Sequence, residues 1–147
     1  MKLGLHLIPR TSFYLNLREF LGDRWNKLSK NIRTQNNFTC QYCNIKKESK
    51  NIHLHEVWKF YTEEKLQILV GFECICNVCH SVHHWGCSQI KGLDMEFLAN
   101  HACKINNCSL DEWKSYVVEC FREWKERSEI KWNIDMSYVN NFRLDLI

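Results

Sequence analysis

Apolar residues recur at helical spacing toward both ends of the chain and give way in its middle to a partly alternating, β-branched and aromatic pattern. After Pro9, Ser12 is placed to cap a short helix through Phe13–Phe20 that closes near Gly22. Asp23 is placed to cap a second helix, in which Trp25, Leu28 and Ile32 fall on one face. The stretches NIHLHEVWKFY and QILVGFECIC then read as strands. In the first, His53, His55 and Val57 share one face, with Leu54 and Glu56 on the other. NVCHSVHHWG reads as the start of a helix, and Asp94 can cap another through MEFLANHACKINN. Ser109 and Glu112 have capping-box spacing and open a long amphipathic helix. Its Trp113, Val117, Cys120, Phe121 and Trp124 form one stripe, expected to be buried as packing surface rather than to hold a cofactor. The segment KWNIDMSYV is too short to assign. The pattern therefore predicts an α+β fold with a helical segment over 1–39, a core over 40–90 and a helical segment over 91–147. With no repeat or linker to divide it, the chain is expected to form one domain.

Length and charge narrow the reading only a little. At 147 residues the chain is long enough for a single core. One proline and five glycines argue against extended disorder. A net charge of +3 permits contact with nucleic acid without requiring it. The basic residues between Lys27 and Lys50 either flank a phosphate track or form a solvated face. No run reaches the roughly 20 apolar residues of a membrane span. The opening MKLGLHLIPR has neither a long apolar region nor a small-residue cleavage site, so a cytoplasmic location without a membrane partner is expected.

Nine cysteines change the picture more. An odd count in a chain expected to sit in a reducing compartment favours metal binding over disulfides. Cys40-Gln41-Tyr42-Cys43 and Cys76-Asn77-Val78-Cys79 are two CxxC turns, each able to point two sulfurs at one ion. Together they predict a closed four-cysteine zinc site that contributes to folding and leaves no position for chemistry. Cys74 is the nearest competitor, at C-x-C spacing from Cys76. Cys87, Cys103, Cys108 and Cys120 are expected to be free thiols.

Five of the seven histidines lie between the two CxxC turns or just beyond the second. His80 and His84 are one helical turn apart and can grip one ion, with His55 reaching across from the strand. Three protein ligands with open positions describe a catalytic site. A pairing of His80 with His83 is also geometrically possible, but His83 is expected to point outward, toward solvent or phosphate. His6 and His101 read as isolated solvated or core residues.

C-Q-Y-C, H-L-H-E-V-W and C-N-V-C-H-S-V-H-H together resemble the layout of zinc-containing HNH endonucleases, the ββα-metal or His-Me finger family. I-P-R-T-S-F-Y-L-N-L-R, L-V-G-F-x-C-x-C and the late D-M-S extend the resemblance over nearly the whole chain, toward a bacterial and phage subgroup. It implies a hairpin and helix enclosing a catalytic divalent ion such as Mg2+, with DNA as the substrate partner. In that family a strand base activates water for in-line attack on phosphorus. On this chain His80 and His84 resemble the helix-borne ligands, and His55 with Glu56 falls where the strand supplies ligand and base. If His55 is the base, the ligand position before it holds Leu54, which binds no metal. If His55 is the ligand, Glu56 takes the base position, and His53 is the other candidate. The family's bracing asparagine is replaced by Gly71, and Asn77 is not an obvious substitute. The competing functions are a non-catalytic zinc module binding nucleic acid or protein, and a zinc scaffold for assembly alone.

Overall fold

The structure, a computed structural model, describes residues 1–142, apart from the side chain of Ser49. The last five residues of the segment expected over 91–147 therefore lie outside the described residues. The fold is α+β, with six α-helices and a three-stranded sheet among the described residues. None of these helices is long and apolar enough to cross a membrane.

The first N-terminal helix is shorter than the pattern suggests and the second starts earlier, both for local reasons. Helix α1 (Leu17–Leu21) begins at Asn16, whose side chain accepts the Glu19 N–H, and ends at Gly22 in left-handed backbone (φ 55°). Ser12 does not cap it. It closes a 3-10 turn over Arg10–Ser12 and is fully buried. Helix α2 (Asp23–Gln35) has Gly22 at its cap position, so Asp23 sits inside the first turn. Its charge still suits the positive end of the helix. Trp25, Leu28 and Ile32 are buried along the expected face.

Strands β1 (Ile52–Tyr61) and β2 (Leu66–Cys76) pair antiparallel. The register places His55 opposite Glu73 and Val57 opposite Gly71, then shifts so that Trp58 faces Leu69. A bulge at this point rotates the strand and re-aims the side chains beside it. A Cβ at residue 71 would meet nothing within 4 Å, so the glycine there is not demanded by packing. The unassigned tail supplies strand β3 (Asn133–Asp135), which pairs parallel with the start of β2.

Helix α3 (Asn77–His83) follows β2 without a loop, because Cys76 both ends the strand and occupies the helix N-cap position. The run then breaks at His84 (φ −91°, ψ 42°) before α4 (Trp85–Ile90). Helix α5 (Met95–Asn106) is capped by Asp94, whose side chain accepts the Phe97 N–H. Helix α6 (Leu110–Arg127) opens on both bonds of the Ser109–Glu112 capping box. Of its apolar stripe only Trp113 is fully buried. Val117, Cys120, Phe121 and Trp124 are half-buried, where α6 runs past the N-terminal segment. There Trp124 Nε1 donates to Ile8 O (2.7 Å), and the Arg10 guanidinium lies 4.7 Å from the Trp124 ring centroid. One apolar cluster joins Leu3, Leu17, Leu28, Ile75, Leu98 and Trp113, drawing on every region of the chain. At roughly 1.5–3 kcal/mol per buried large side chain, this cluster is the main nonlocal force holding the N-terminus against the hairpin.

All nine cysteines are free thiols in the structure, with Cys87 exposed. Peptide mass mapping without reductant is expected to find Cys87, Cys103, Cys108 and Cys120 unbridged. A stoichiometric disulfide among them would contradict the reducing-compartment reading.

Candidate functional site

The first CxxC turn leaves α2 through Asn37 and Phe38, both in left-handed backbone (φ 53° and 49°). Cys40 N–H donates to Ile45 O and Asn44 N–H to Cys40 O, each at 2.9 Å, which closes the turn. Gln41 then ties the turn to β2 twice. Its N–H donates to Cys74 O (2.9 Å), and its Oε1 accepts the Cys74 N–H (2.7 Å). Cys74 is consequently a buried core residue and lies outside the group of four. The second turn runs from Cys76 into the first turn of α3 at Cys79.

These two turns bring the sulfurs of Cys40, Cys43, Cys76 and Cys79 within 4.8 Å of one another, with Cys43 and Cys76 3.7 Å apart. Four sulfurs placed about 2.3 Å from a zinc ion form a tetrahedron with edges of about 3.8 Å. The four cysteines therefore fit a zinc ion, and burial of Cys40 and Cys79 gives the closed character of a structural site. Hydrogen bonds from Cys76 and Cys79 hold the Cys40 thiol far below its ordinary pKa. The reciprocal hydrogen bonds push Cys79 up, and burial pushes Cys43 up to about 11. Four crowded sulfurs ionise together only when a cation offsets their repulsion. His101 Nε2 lies 3.2 Å from Cys79 Sγ, in reach to donate an N–H to that sulfur. His101 is therefore not the isolated residue that its position in the sequence suggests.

The histidines converge on the other side of α3. His55 comes from β1, His80 from the middle of α3 and His84 from its end. Their ligand atoms lie within 4.8 Å of one another, and their ring centroids are 4.6–5.3 Å apart in edge-on contacts. Burial pushes His80 down to about 3 and also lowers His55 and His84, with neighbouring histidines adding to the effect. The rings are thus held neutral, the form whose nitrogen lone pair binds a cation. Three imidazoles without a carboxylate suit a borderline first-row ion such as Zn2+, Ni2+ or Co2+. Mg2+, the ion suggested by resemblance, prefers oxygen ligands, and this donor set fits it poorly.

His83 does not point outward. It is fully buried, with Nδ1–H donating to Gly4 O (2.6 Å) and Nε2 3.1 Å from Glu73 Oε2. The other Glu73 oxygen accepts from the Tyr42 hydroxyl (2.7 Å). Burial opposes ionisation of Glu73, yet the hydrogen bonds from His83 and Tyr42 hold its pKa below the ordinary range. A chain of contacts therefore runs from the first CxxC turn through Glu73 to the histidines. His6 is also part of the cluster: its Nδ1 is 2.9 Å from His55 Nε2, and its ring stacks on His83 at 3.8 Å. His6, His55 and His83 form a second close trio. Because both His83 nitrogens already face oxygens, this trio is a hydrogen-bonded stack and not a second set of ligands.

The N-terminal segment is pinned where His6 needs to be. Leu3 exchanges two hydrogen bonds with the Asn106 side chain, Leu5 N–H donates to the Tyr116 hydroxyl (3.1 Å), and His6 N–H donates to His83 O (2.9 Å). A Cβ on residue 4 would run into the Tyr116 hydroxyl, so this close approach requires Gly4.

Glu56 and Leu54 share a pocket of ≈ 270 Å³ with His55, His80 and His84. The Glu56 Oε2 accepts from Trp58 Nε1 (3.0 Å), and burial pushes its pKa up. His53 is outside the ligand group, with its Nε2 2.6 Å from Asn77 Oδ1 and its ring stacked on His80. Asn77 thus braces a histidine from within the second CxxC turn. Glu73, Tyr42 and Asn77 are brought into the site by the fold; only Glu73 carries a signal in the sequence, as a lone charge in an apolar strand run. No family model matches the chain, and neither a curated protein nor a solved structure matches it, so its function is to be read from the chemistry of these residues.

Proposed function

We propose that this protein is a metal-dependent endonuclease that hydrolyses DNA phosphodiester bonds at an HNH-type site, with the four cysteines holding a zinc ion for the fold alone. The observation that carries the proposal is the convergence of His55, His80 and His84 in a pocket that Glu56 also lines. The succession of an antiparallel hairpin and a helix, with ligands on the first strand and on the helix, supports it.

His55, His80 and His84 would hold a divalent cation, which when bound supplies positive charge against the phosphate and its leaving oxygen. Glu56 takes the proton of the attacking water, its carboxylate aimed by the Trp58 indole. His6 fixes the His55 ring from the side, and the Glu73–His83–Gly4 contacts fix His6 from below. As the P–O bond to the 3′ oxygen breaks, that oxygen gains a proton from solvent.

Supercoiled plasmid gives the test. Nicking is expected only with an added divalent ion, and Mn2+, Ni2+ or Zn2+ should serve better than Mg2+. His84→Ala should remove most of the activity while one zinc per chain remains on the cysteines, because His84 belongs to the open site and not to the closed one. Wild-type protein that binds DNA but cleaves none across all four ions would end the enzyme reading. A non-catalytic zinc module that binds nucleic acid would then replace it.

A further inference from the structure

Arg127 is the last residue of α6, and it reaches the pocket that holds His55, Glu56, His80 and His84. Its guanidinium lies over the face of Phe60, 4.7 Å from the ring centroid. Its backbone is fixed as well, since Arg127 O accepts from Trp132 Nε1 (2.9 Å). Arg127 Nε is buried without a hydrogen-bond partner. Among the described residues the guanidinium makes no ion pair, whereas Arg122, on the same helix, is held by both Glu119 and Glu126. Burial pulls the Arg127 pKa down, against the charge of Glu123, which makes no ion pair with it.

Arg127 is half-buried, and a guanidinium withdrawn from water is ordinarily paired, because leaving its charge and donors unsatisfied is unfavourable. Here the aromatic face of Phe60 supports one side of the plane and leaves the donors unmatched. An anion with two oxygens in one plane fits such a fork, and a phosphodiester presents two non-bridging oxygens in that way. Arg18 is exposed at the same pocket, adding positive charge at its mouth.

We propose that Arg127 is a substrate-binding residue, whose guanidinium grips the non-bridging oxygens of a phosphodiester and sets it against His55, His80, His84 and Glu56. This rests on the reading of the pocket as a phosphodiesterase site, but the anion contact is testable apart from turnover. The first measurement is the side-chain Nε–H spectrum of zinc-loaded wild-type protein titrated with dimethyl phosphate, against sodium chloride at equal ionic strength. The Arg127 signal, identified by its loss in Arg127→Gln and in Arg127→Lys, should move and saturate with phosphate only. The Arg122 signal should stay in place. The second measurement is DNA cleavage, where Arg127→Gln should lower kcat/KM by roughly 10–100-fold and Arg127→Lys should recover part of it, since lysine restores charge but not the fork. An unmoved Arg127 signal in the wild-type protein overturns the proposal, and the folded Arg127→Lys variant secures the assignment if Arg127→Gln does not fold. Unchanged kcat/KM in a folded Arg127→Gln protein overturns it as well. If wild type cleaves no DNA and the Arg127 signal still responds to dimethyl phosphate, the anion contact stands and the nuclease reading falls.

Discussion

Cys79→Ser, and equally Cys43→Ser, is expected to leave a chain that does not fold cooperatively and carries no stoichiometric zinc. The sulfurs of Cys40, Cys43, Cys76 and Cys79 join the end of α2 to the junction of β2 and α3, so losing one releases two segments at once. Structural zinc contributes about 10–16 kcal/mol in small zinc domains. The whole stability of a domain this size is about 5–15 kcal/mol, so the metal's share decides between folded and unfolded. Serine is close in size to cysteine but is a poor zinc ligand, and it leaves three sulfurs crowded around an incomplete site. Far-UV circular dichroism with thermal unfolding, together with zinc analysis, gives the measurement. A well-folded, zinc-free variant with an unchanged Tm would show that the cysteines are plain core thiols. Mild chelation of the wild type should reproduce the unfolding and zinc should reverse it.

Glu56→Gln should lower the cleavage rate by roughly 10²–10⁴-fold with little change in DNA binding or Tm, the loss that follows removal of a general base. Glutamine keeps the shape and still accepts the Trp58 indole N–H, so the comparison isolates proton transfer. His53 is the competing base. Its Nε2 is engaged by Asn77, and its ring is stacked on His80, so it is placed to support the ligand helix. His53→Gln is accordingly expected to have a smaller effect than Glu56→Gln. The reverse order, measured on supercoiled plasmid at saturating metal, would move the base to His53 and leave Glu56 with a supporting role.

Much of this architecture is legible without coordinates, and the reason is that the signals are short-ranged. The Ser109–Glu112 box closes its bonds within three residues, and Asp94 reaches Phe97 over the same span. Each CxxC pair is made by one turn. The alternation in β1 and the apolar run of β2 identify the hairpin because a strand repeats every two residues. Where local readings compete, the prediction slips by a few residues. Asn16 displaces Ser12 as a cap, Gly22 displaces Asp23, and the helix expected to run on from Asn77 stops at His84.

By itself the sequence determined the hairpin, the main helices, the two CxxC turns and the helical spacing of His80 with His84, all of which depend on residues a few positions apart, whereas β3 came only with the fold. Only the tertiary structure decided which solitary residues join them. His6 meets His55 across 49 positions, His83 meets the Gly4 carbonyl across 79, and Tyr116 meets Leu5 across 111. A single histidine, tyrosine or arginine has no internal spacing to announce a partner, and so Arg127, His101 and Tyr42 gave no sign of their neighbours. Their placement follows from how the shared core of Leu3, Leu28, Ile75 and Trp113 packs, which sums many weak apolar contacts over the entire chain. The burial of His83 is decided in the same way: its helix position alone allows it to face solvent, and the N-terminal segment laid across α3 encloses it.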